Sequence, residues 1–181
     1  MAELPLFVVV SGPPGTGKST IASRLAVALW LPLIAKDTIK EALFDALGAA
    51  DPEESTRLGR AAIDVMYAVA KRSPVGAVLE CNFRGPHARE QLALLTGDVI
   101  EVFCRCDPQV ARRRYRERTS SRHPVHFDDS RSDDELCHPE EADPIAGEWP
   151  VLEINTDRPI ELDVIAQEIL TRTTPRRSSR T

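Results

Sequence analysis

The chain has 181 residues, of which 42% are hydrophobic and 28% are charged, and its formal net charge is -5. This length suits a single domain with a full core, and the acidic balance argues against nucleic acid as an obligatory partner. No apolar run reaches the ~20 residues that a bilayer span needs and no signal-peptide or disulfide pattern is present, so we expect a cytoplasmic protein with reduced thiols and no membrane partner.

Short apolar runs alternate with helical patterns along the chain. The first run, Leu6–Val10, is rich in valine and ends at a glycine turn, which is typical of a buried parallel strand. A helix is predicted from Lys18 to about Leu29, because its apolar residues recur every three or four positions. Further strands are predicted at LPLIA, GAVLEC, DVIEVFCRC and VLEIN. Further helices are predicted at DTIKEALFDAL, residues 53–72, HAREQLALL, PQVARRRYRER and PIELDVIAQEIL.

Strands that alternate with helices predict an α/β fold of three layers, in which helices cover both faces of a parallel sheet. Residues 119–147 interrupt the alternation and contain three prolines, eight acidic residues and two arginines. A loop this long in a compact domain is usually functional or disordered, and we interpret it as a mobile lid over the site. We expect a single domain over residues 1–171 and a disordered basic tail over 172–181, whose arginines are either solvated or in weak contact with anions or nucleic acid.

The motif Gly12-Pro-Pro-Gly-Thr-Gly17-Lys18-Ser19 matches the phosphate loop G-x-x-x-x-G-K-[ST] in full, between a predicted strand and a predicted helix. Its glycines let backbone N–H groups converge on phosphate oxygens, and the following helix presents its positive end there. Lys18 can reach the terminal phosphates of a nucleotide, and the Ser19 hydroxyl can join a Mg²⁺ shell. The predicted nucleotide contacts of the loop are Gly12, Pro13, Pro14, Gly15, Thr16, Gly17, Lys18, Ser19 and Thr20.

Asp37 follows the second predicted strand in the segment IAKDTIKEAL. Aspartate is a favoured N-cap residue in any helix, so one interpretation is structural. The carboxyl ends of parallel strands, however, form the edge at which ligands bind, and a carboxylate there can accept a proton from an attacking hydroxyl. The residues alone leave both interpretations open.

Polar residues also follow the third predicted strand, in the segment GAVLECNFR. Glu80 at the strand end is a candidate Mg²⁺ ligand, either directly or through water. Asn82 is a candidate hydrogen-bonding partner of metal-bound water or of substrate. Arg84 is either a surface charge or a substrate contact.

Arginines are concentrated in the helical pattern PQVARRRYRER. Most of them must face water, but Arg114 and Arg118 lie four residues apart and share a helix face next to the lid. Their guanidinium groups are candidates for neutralising a transferring phosphoryl group or for stacking on a base. Arg122, just inside the lid, is a further candidate for a substrate contact.

The histidines and the cysteine of the lid do not predict a metal site. His123, His126, Cys137 and His138 fit no usual zinc-ligand spacing. Either of the first two histidines could contact a substrate, but nothing in the sequence supports that role.

In the order of these features, the sequence resembles the adenylate-kinase-like branch of P-loop kinases. It is most similar to the small AAA-domain kinases, which include the 5′-hydroxyl kinase domain of phage polynucleotide kinase. Chloramphenicol phosphotransferase and zeta toxins are relatives of the same general design. The resemblance covers residues 5–171 and implies a P-loop NTPase fold with a five-stranded sheet in the order 2-3-1-4-5, although only the phosphate loop is a specific motif.

The resemblance also implies roles for individual residues. Asp37 matches the general base of the family, and Lys36 and Lys40 occupy places where basic residues flank that base. The two spaced arginines of the fifth predicted helix match lid arginines that contact phosphates and nucleotide. The segment Ile154–Asp157, which contains Thr156, falls where such kinases often form a wall of the adenine pocket.

The expected function is transfer of the γ-phosphoryl group of ATP, with Mg²⁺, to a hydroxyl group of a small-molecule acceptor. Two features depart from the family pattern, because Glu80 stands where aspartate is commoner and the acidic lid would repel a polynucleotide. The acids of the lid suggest instead a cationic acceptor such as an amino sugar. The alternatives are a polynucleotide 5′-hydroxyl kinase, a zeta-toxin-like kinase, and an ATP-binding switch with little turnover.

Overall fold

A computed structural model of the chain describes residues 4–119, 123–126 and 141–173. Arg122, most of the predicted lid and the predicted tail from residue 174 lie outside the described residues. The strands are β1 (Leu6–Ser11), β2 (Leu33–Ala35), β3 (Gly76–Glu80), β4 (Asp98–Arg105) and β5 (Val151–Asn155). The helices are α1 (Lys18–Leu29), α2 (Lys36–Leu47), α3 (Pro52–Ala70), α4 (Gly85–Ala93), α5 (Pro108–Thr119) and α6 (Leu162–Thr173), with a short 3-10 turn at Pro124–His126. None of the described helices is long and apolar enough to cross a membrane.

The strands form a parallel sheet in the order β2-β3-β1-β4-β5. This arrangement confirms the predicted fold class and the predicted strand order. Val10 of β1 lies opposite Glu80 of β3 and Val102 of β4, and Ala35 of β2 lies opposite the same Glu80. The segments that follow β1, β2 and β3 therefore leave the sheet side by side at the same edge.

Helices cover both faces of the sheet and bury two apolar clusters. Successive residues of a strand face opposite ways, so Phe7 and Val9 join one cluster while Val8 and Val10 join the other. The first cluster packs against α3 and α4, and the second packs against α1 and α6. Packing on both faces therefore holds in place the sheet edge at which the segments after β1, β2 and β3 begin.

The last helix is longer than the sequence suggests. Arg172 was expected to begin a disordered tail, but α6 continues through Thr173. The Arg172 side chain donates from Nε to Glu168 Oε1 at 2.8 Å and from Nη1 to the Val151 carbonyl oxygen at 3.2 Å. These two hydrogen bonds hold the end of α6 against β5, so the ordered domain extends past the predicted boundary.

A buried carboxylate in β4 holds the segment that leads into β5. Glu101 is 0% exposed, and its oxygens accept hydrogen bonds from Ser11 Oγ at 2.5 Å and from the Ile145 backbone N–H at 3.1 and 3.2 Å. Trp149 Nε1 donates to Glu101 Oε2 at 3.2 Å. A buried carboxylate is tolerated only when hydrogen-bond donors surround it in this way. Glu101 therefore holds the end of β1 and residues 145–149 together.

We expect Glu101→Ala to lower the free energy of unfolding by about 3 kcal/mol, because it leaves several buried donors without an acceptor. Urea denaturation followed by circular dichroism measures the change. The matched control is Glu153→Ala, which removes a half-exposed carboxylate 3.5 Å from Arg105 and should cost under about 1 kcal/mol. Equal losses in the two variants would contradict the role of Glu101.

Candidate active site

The loop between β1 and α1 contains two positions that require glycine. Gly12 and Gly15 have φ angles of +124° and +79°, in the left-handed region that favours glycine. A Cβ on Gly12 would lie 2.1 Å from the Cys104 carbonyl oxygen, and a Cβ on Gly15 would lie 2.2 Å from the Ala111 carbonyl oxygen. The absence of side chains therefore lets the loop pack directly on the end of β4 and on α5.

Lys18, the first residue of α1, lies inside this loop. Its Nζ donates to the Pro13 carbonyl oxygen at 2.8 Å, and Thr16 Oγ1 donates to the same oxygen at 2.7 Å. Burial lowers the pKa of Lys18, and the charges of Glu80 and Glu141 offset part of that fall. The ammonium group is therefore held near two carboxylates, beside a loop and a helix N-terminus that suit a phosphate.

A polar cavity opens in front of the loop, and Ser19 and Glu80 both line it. Burial raises the pKa of Glu80, and the charge of Lys18 offsets part of that rise. Among the described residues, no group of three or more His, Cys, Asp or Glu side chains forms a cage for a metal ion. Mg²⁺ does not need such a cage, since it keeps several waters and binds one or two carboxylates together with substrate phosphates. The hydroxyl of Ser19 and the carboxylate of Glu80 fit that mode of binding.

Helix α2 brings Asp37 and two lysines to the wall of this cavity. The interpretation of Asp37 as a helix cap is wrong, because α2 begins at Lys36 and Ala35 occupies the cap position. Asp37 lies instead in the first turn of the helix, where its Oδ1 accepts a hydrogen bond from Lys36 Nζ at 2.8 Å. Lys40, one turn further, is 3% exposed, and its Nζ donates to Ser55 Oγ at 2.7 Å.

The segment after β3 adds Asn82 and Arg84 to the cavity wall. Arg84 donates from Nε to Oε1 of Glu141 at 2.6 Å, and the Glu141 side chain is only 1% exposed. Among the described residues, no hydrogen-bond donor reaches Oε2 of Glu141. Sequence reasoning missed Glu141, because one acid in a long acidic loop carries no signal that separates it from solvated neighbours.

The two spaced arginines of α5 line different cavities. Arg118 lines the cavity in front of the phosphate loop, and its guanidinium carbon lies 5.7 Å from the centroid of the Tyr115 ring. Arg114 donates to Thr156, at 3.1 Å to Oγ1 and at 3.0 Å to the carbonyl oxygen. Arg114 and Thr156 line a second cavity beside the start of α1.

The short turn after α5 is fastened to α2 and α3. The Val125 carbonyl oxygen accepts hydrogen bonds from Lys40 Nζ at 3.2 Å and from Ser55 Oγ at 2.5 Å. His126 lines the first cavity and is 4% exposed, and its Nε2 lies 2.8 Å from Glu41 Oε1. No pattern in the sequence supports a role for His126 at the site, since its position depends on the docking of this turn.

Most of the predicted site residues thus meet in one place. Those that line the first cavity are Pro14, Gly15, Gly17, Lys18, Ser19, Thr20, Asp37, Lys40, Glu80, Asn82, Arg84 and Arg118. Gly12, Pro13 and Thr16 form the loop behind it, Arg114 and Thr156 line the second cavity, and Arg122 lies outside the described residues. The roles of these residues are still predictions.

The chain belongs to the family whose model is described as "AAA domain", which matches residues 7–138 and therefore more than half of the sequence. Among curated proteins, a cytidylate kinase from Ignicoccus hospitalis is 34% identical over 67 residues, which cover 32% of this chain and 39% of that enzyme. The chain thus spans only about two fifths of the length of this curated relative.

Solved structures with the same fold include several kinases. A protein from Chloroflexus aurantiacus with a provisional assignment as a kinase is 30% identical, with a TM-score of 0.85 over 95% of this chain and 100% of that chain. A gluconokinase from Sinorhizobium meliloti is 21% identical, with a TM-score of 0.57 over 95% of this chain and 93% of that chain. An APS kinase from Mycobacterium tuberculosis, solved with AMPPNP and APS, is 20% identical, with a TM-score of 0.54 over 94% and 98%. The chain therefore has the fold of the small P-loop kinases.

The raised pKa of Glu80 predicts how this residue affects stability. Because the folded pKa lies above the unfolded value of 4.5, the cost of burying the ionised carboxylate appears as the pH rises through the folded pKa. Glu80→Gln removes this cost, so its free energy of unfolding should increase relative to the parent chain between pH of about 4 and about 8. Urea denaturation at both pH values measures the difference.

The control for this comparison is Glu153→Gln, which alters a half-exposed carboxylate and should show no such trend. If the difference between Glu80→Gln and the parent chain stays constant or reverses over the same pH range, the electrostatic account of Glu80 is wrong.

Proposed function

We propose that this AAA-domain protein is an ATP-dependent, Mg²⁺-requiring kinase that transfers the γ-phosphoryl group to a hydroxyl of a small-molecule acceptor. The observation that carries the proposal is the position of Asp37, whose carboxylate lines the same cavity as Lys18 of the phosphate loop and Glu80. A cavity that contains a phosphate-binding loop, a candidate metal ligand and a separate carboxylate has the groups that phosphoryl transfer to an alcohol requires.

Asp37 is the feature that favours an alcohol over a phosphate as the acceptor. An alcohol must lose its proton as it attacks phosphorus, and a nearby carboxylate can accept that proton. A phosphate acceptor is already ionised at neutral pH and needs no base, and a carboxylate beside it would repel it. Lys36 fixes the carboxylate of Asp37 through the 2.8 Å hydrogen bond to Oδ1.

The nucleotide would be held by the phosphate loop and the two cavities beside it. Lys18 and the N-terminus of α1 suit the terminal phosphates, and the cavity that Arg114 and Thr156 line suits the base. The Ser19 hydroxyl and the Glu80 carboxylate would hold the metal ion. Bound Mg²⁺ would neutralise charge on the β- and γ-phosphates of the nucleotide.

In the reaction, the acceptor oxygen forms a bond to the γ-phosphorus while the bond from that phosphorus to the β,γ-bridging oxygen breaks, and ADP leaves. Asp37 orients the acceptor hydroxyl and takes its proton. Lys18 and Arg118, which line the same cavity, stabilise the negative charge that spreads over the transferring group and the leaving oxygen.

The rival functions predict different products. An ATP-binding switch would turn over ATP at the same low rate with and without a broad panel of hydroxyl compounds. A polynucleotide kinase would label oligonucleotide ends, with activity that falls as the salt concentration rises. A small-molecule kinase turns over ATP faster only when one class of hydroxyl compound is present.

We expect Asp37→Asn to lower kcat by roughly 100- to 10,000-fold, because it removes the proton acceptor, and to leave ATP affinity nearly unchanged. Coupled measurement of ADP release with a confirmed acceptor gives kcat, and fluorescence titration gives nucleotide affinity. Asp45→Asn, on the same helix but 69% exposed, is the control. Near-parental turnover by Asp37→Asn would show that Asp37 is not the base.

The separate positions of the α5 arginines predict separate kinetic effects. Arg118→Met should lower kcat by roughly 100-fold, since Arg118 lines the cavity in which phosphoryl transfer would occur. Arg114→Met should raise the KM for ATP by about tenfold, with a smaller effect on kcat, since Arg114 lines the second cavity. Steady-state kinetics at varied ATP concentration separates the two. Identical effects on kcat and KM in both variants would contradict this division.

A further inference from the structure

We infer that Glu141 is a positioning residue for the proposed reaction, and that it holds the guanidinium group of Arg84 at the cavity wall where the acceptor binds. This role rests on the proposed function, because an acceptor in that cavity is the molecule that Arg84 would contact. One acid of the predicted lid is thereby assigned to the protein's own site.

Arg84 lies on the side of the cavity that the acceptor would use. It follows β3 and lines the same cavity as Asp37. Strand β3 is the neighbour of β2, which leads directly into the helix that carries Asp37. The phosphate loop, in contrast, follows β1, and Arg118 belongs to α5. Arg84 therefore shares its side of the cavity with the candidate base.

One hydrogen bond fixes the side chain of Arg84. Its Nε donates to Oε1 of Glu141 at 2.6 Å, and 56% of the Arg84 side chain is exposed. Neither of its Nη groups donates to any residue in the described part of the chain. An exposed arginine loses rotamer freedom when it binds a ligand. The contact with Glu141 removes part of that loss in advance and leaves both Nη groups to donate to an acceptor.

The burial of Glu141 brings little net stability. Its side chain is 1% exposed, and among the described residues no hydrogen-bond donor reaches its Oε2. Desolvation of a carboxylate costs free energy, and an oxygen without a donor recovers none of that cost. Glu101 is the contrast, since donors reach both of its oxygens. The hydrogen bond that Glu141 does accept connects it to an arginine of the cavity wall.

The backbone that carries Glu141 is anchored beside the phosphate loop. The Ile145 N–H and the Trp149 indole, four and eight residues later, donate to the buried Glu101. Ala142, the next residue, lines an apolar cavity together with two prolines of the phosphate loop. The carboxylate therefore belongs to a segment that is fixed to the sheet, and it can hold the guanidinium group in a constant position.

The first test measures whether Glu141 holds Arg84. The NMR resonance of the Arg84 Nε–H group, assigned by its loss in Arg84→Lys, reports the motion of the guanidinium group through its order parameter. In Glu141→Leu we expect the order parameter to fall to the level of Arg113, whose side chain is 68% exposed. The matched control is Glu153→Leu, which removes the carboxylate of a half-exposed pair with Arg105 and should leave the Arg84 signal unchanged. An unchanged order parameter in Glu141→Leu overturns the inference.

The second test measures what the fixed guanidinium group does for the acceptor. Gluconate, glucose, glucosamine and glycerol serve as probes, and kinetics are followed with the one that most accelerates ADP release. Glu141→Leu should raise the KM for that compound by about tenfold and leave kcat within about threefold, because it weakens binding that precedes the chemical step. Glu141→Gln keeps an oxygen for Nε but loses the charge, so it should raise KM by only about threefold. Glu153→Leu should change neither constant.

Stability separates this role from a structural one. Glu141→Leu removes a buried charge and leaves an arginine that water can solvate, since Arg84 is more than half exposed. The free energy of unfolding in urea should therefore not fall in this variant, while KM rises. Loss of stability and of activity together would make Glu141 a structural residue and overturn the inference.

A double variant tests whether Glu141 acts through Arg84. Arg84→Gln alone should raise the same KM, and the addition of Glu141→Leu should raise it no further. Additive effects in the double variant, or a lower kcat with an unchanged KM in Glu141→Leu, overturn the positioning role while the kinase function stands. If the parent chain phosphorylates none of the four compounds, the result counts against the proposed function, and the order parameter of Arg84 alone decides whether Glu141 holds it.

Discussion

The parallel register of β2, β3 and β1 is the constraint on which the site depends. Neighbouring strands lie about 4.8 Å apart, and Ala35, Glu80 and Val10 are aligned across the three of them. The phosphate loop, α2 and the segment after β3 consequently start side by side, although they are far apart in sequence. A slip of one residue would turn each of these side chains to the opposite face of the sheet. The two apolar clusters fix the strand register, and they therefore also fix the positions of the candidate site residues.

The candidate site contains buried charges whose desolvation lowers the free energy of unfolding. Burial lowers the pKa of Lys18 and raises the pKa of Glu80, and each residue offsets part of the shift of the other. Burying charges of opposite sign adds little net stability, because the cost of desolvation offsets their attraction. Glu141 is a further buried carboxylate of the site. It accepts a hydrogen bond from Arg84, and its charge offsets part of the fall in the pKa of Lys18. The stability required to tolerate these charges comes from the sheet and from the Glu101 contacts.

The fold could be predicted well from the sequence, because strand and helix periodicity and one specific motif determine it locally. The phosphate loop and the approximate positions of Asp37 and Glu80 follow in the same way from strand ends. The N-cap interpretation of Asp37 was wrong by two residues, since Ala35, the last residue of β2, occupies the cap position. Glu141, His126 and the separation of Arg114 from Arg118 depend on how the segments after β4 dock on α2, α3 and β5, and this docking has no periodic signal.

The central claim is that a phosphoryl group passes from ATP to a carbon-bound hydroxyl in the cavity that contains Asp37. The most direct test is phosphorus NMR of the product formed from ATP, Mg²⁺ and a fractionated metabolite mixture. The account predicts ADP together with a new phosphate monoester, in equal amounts. Release of inorganic phosphate alone, or a new phosphoanhydride made on a phosphate acceptor, would contradict it.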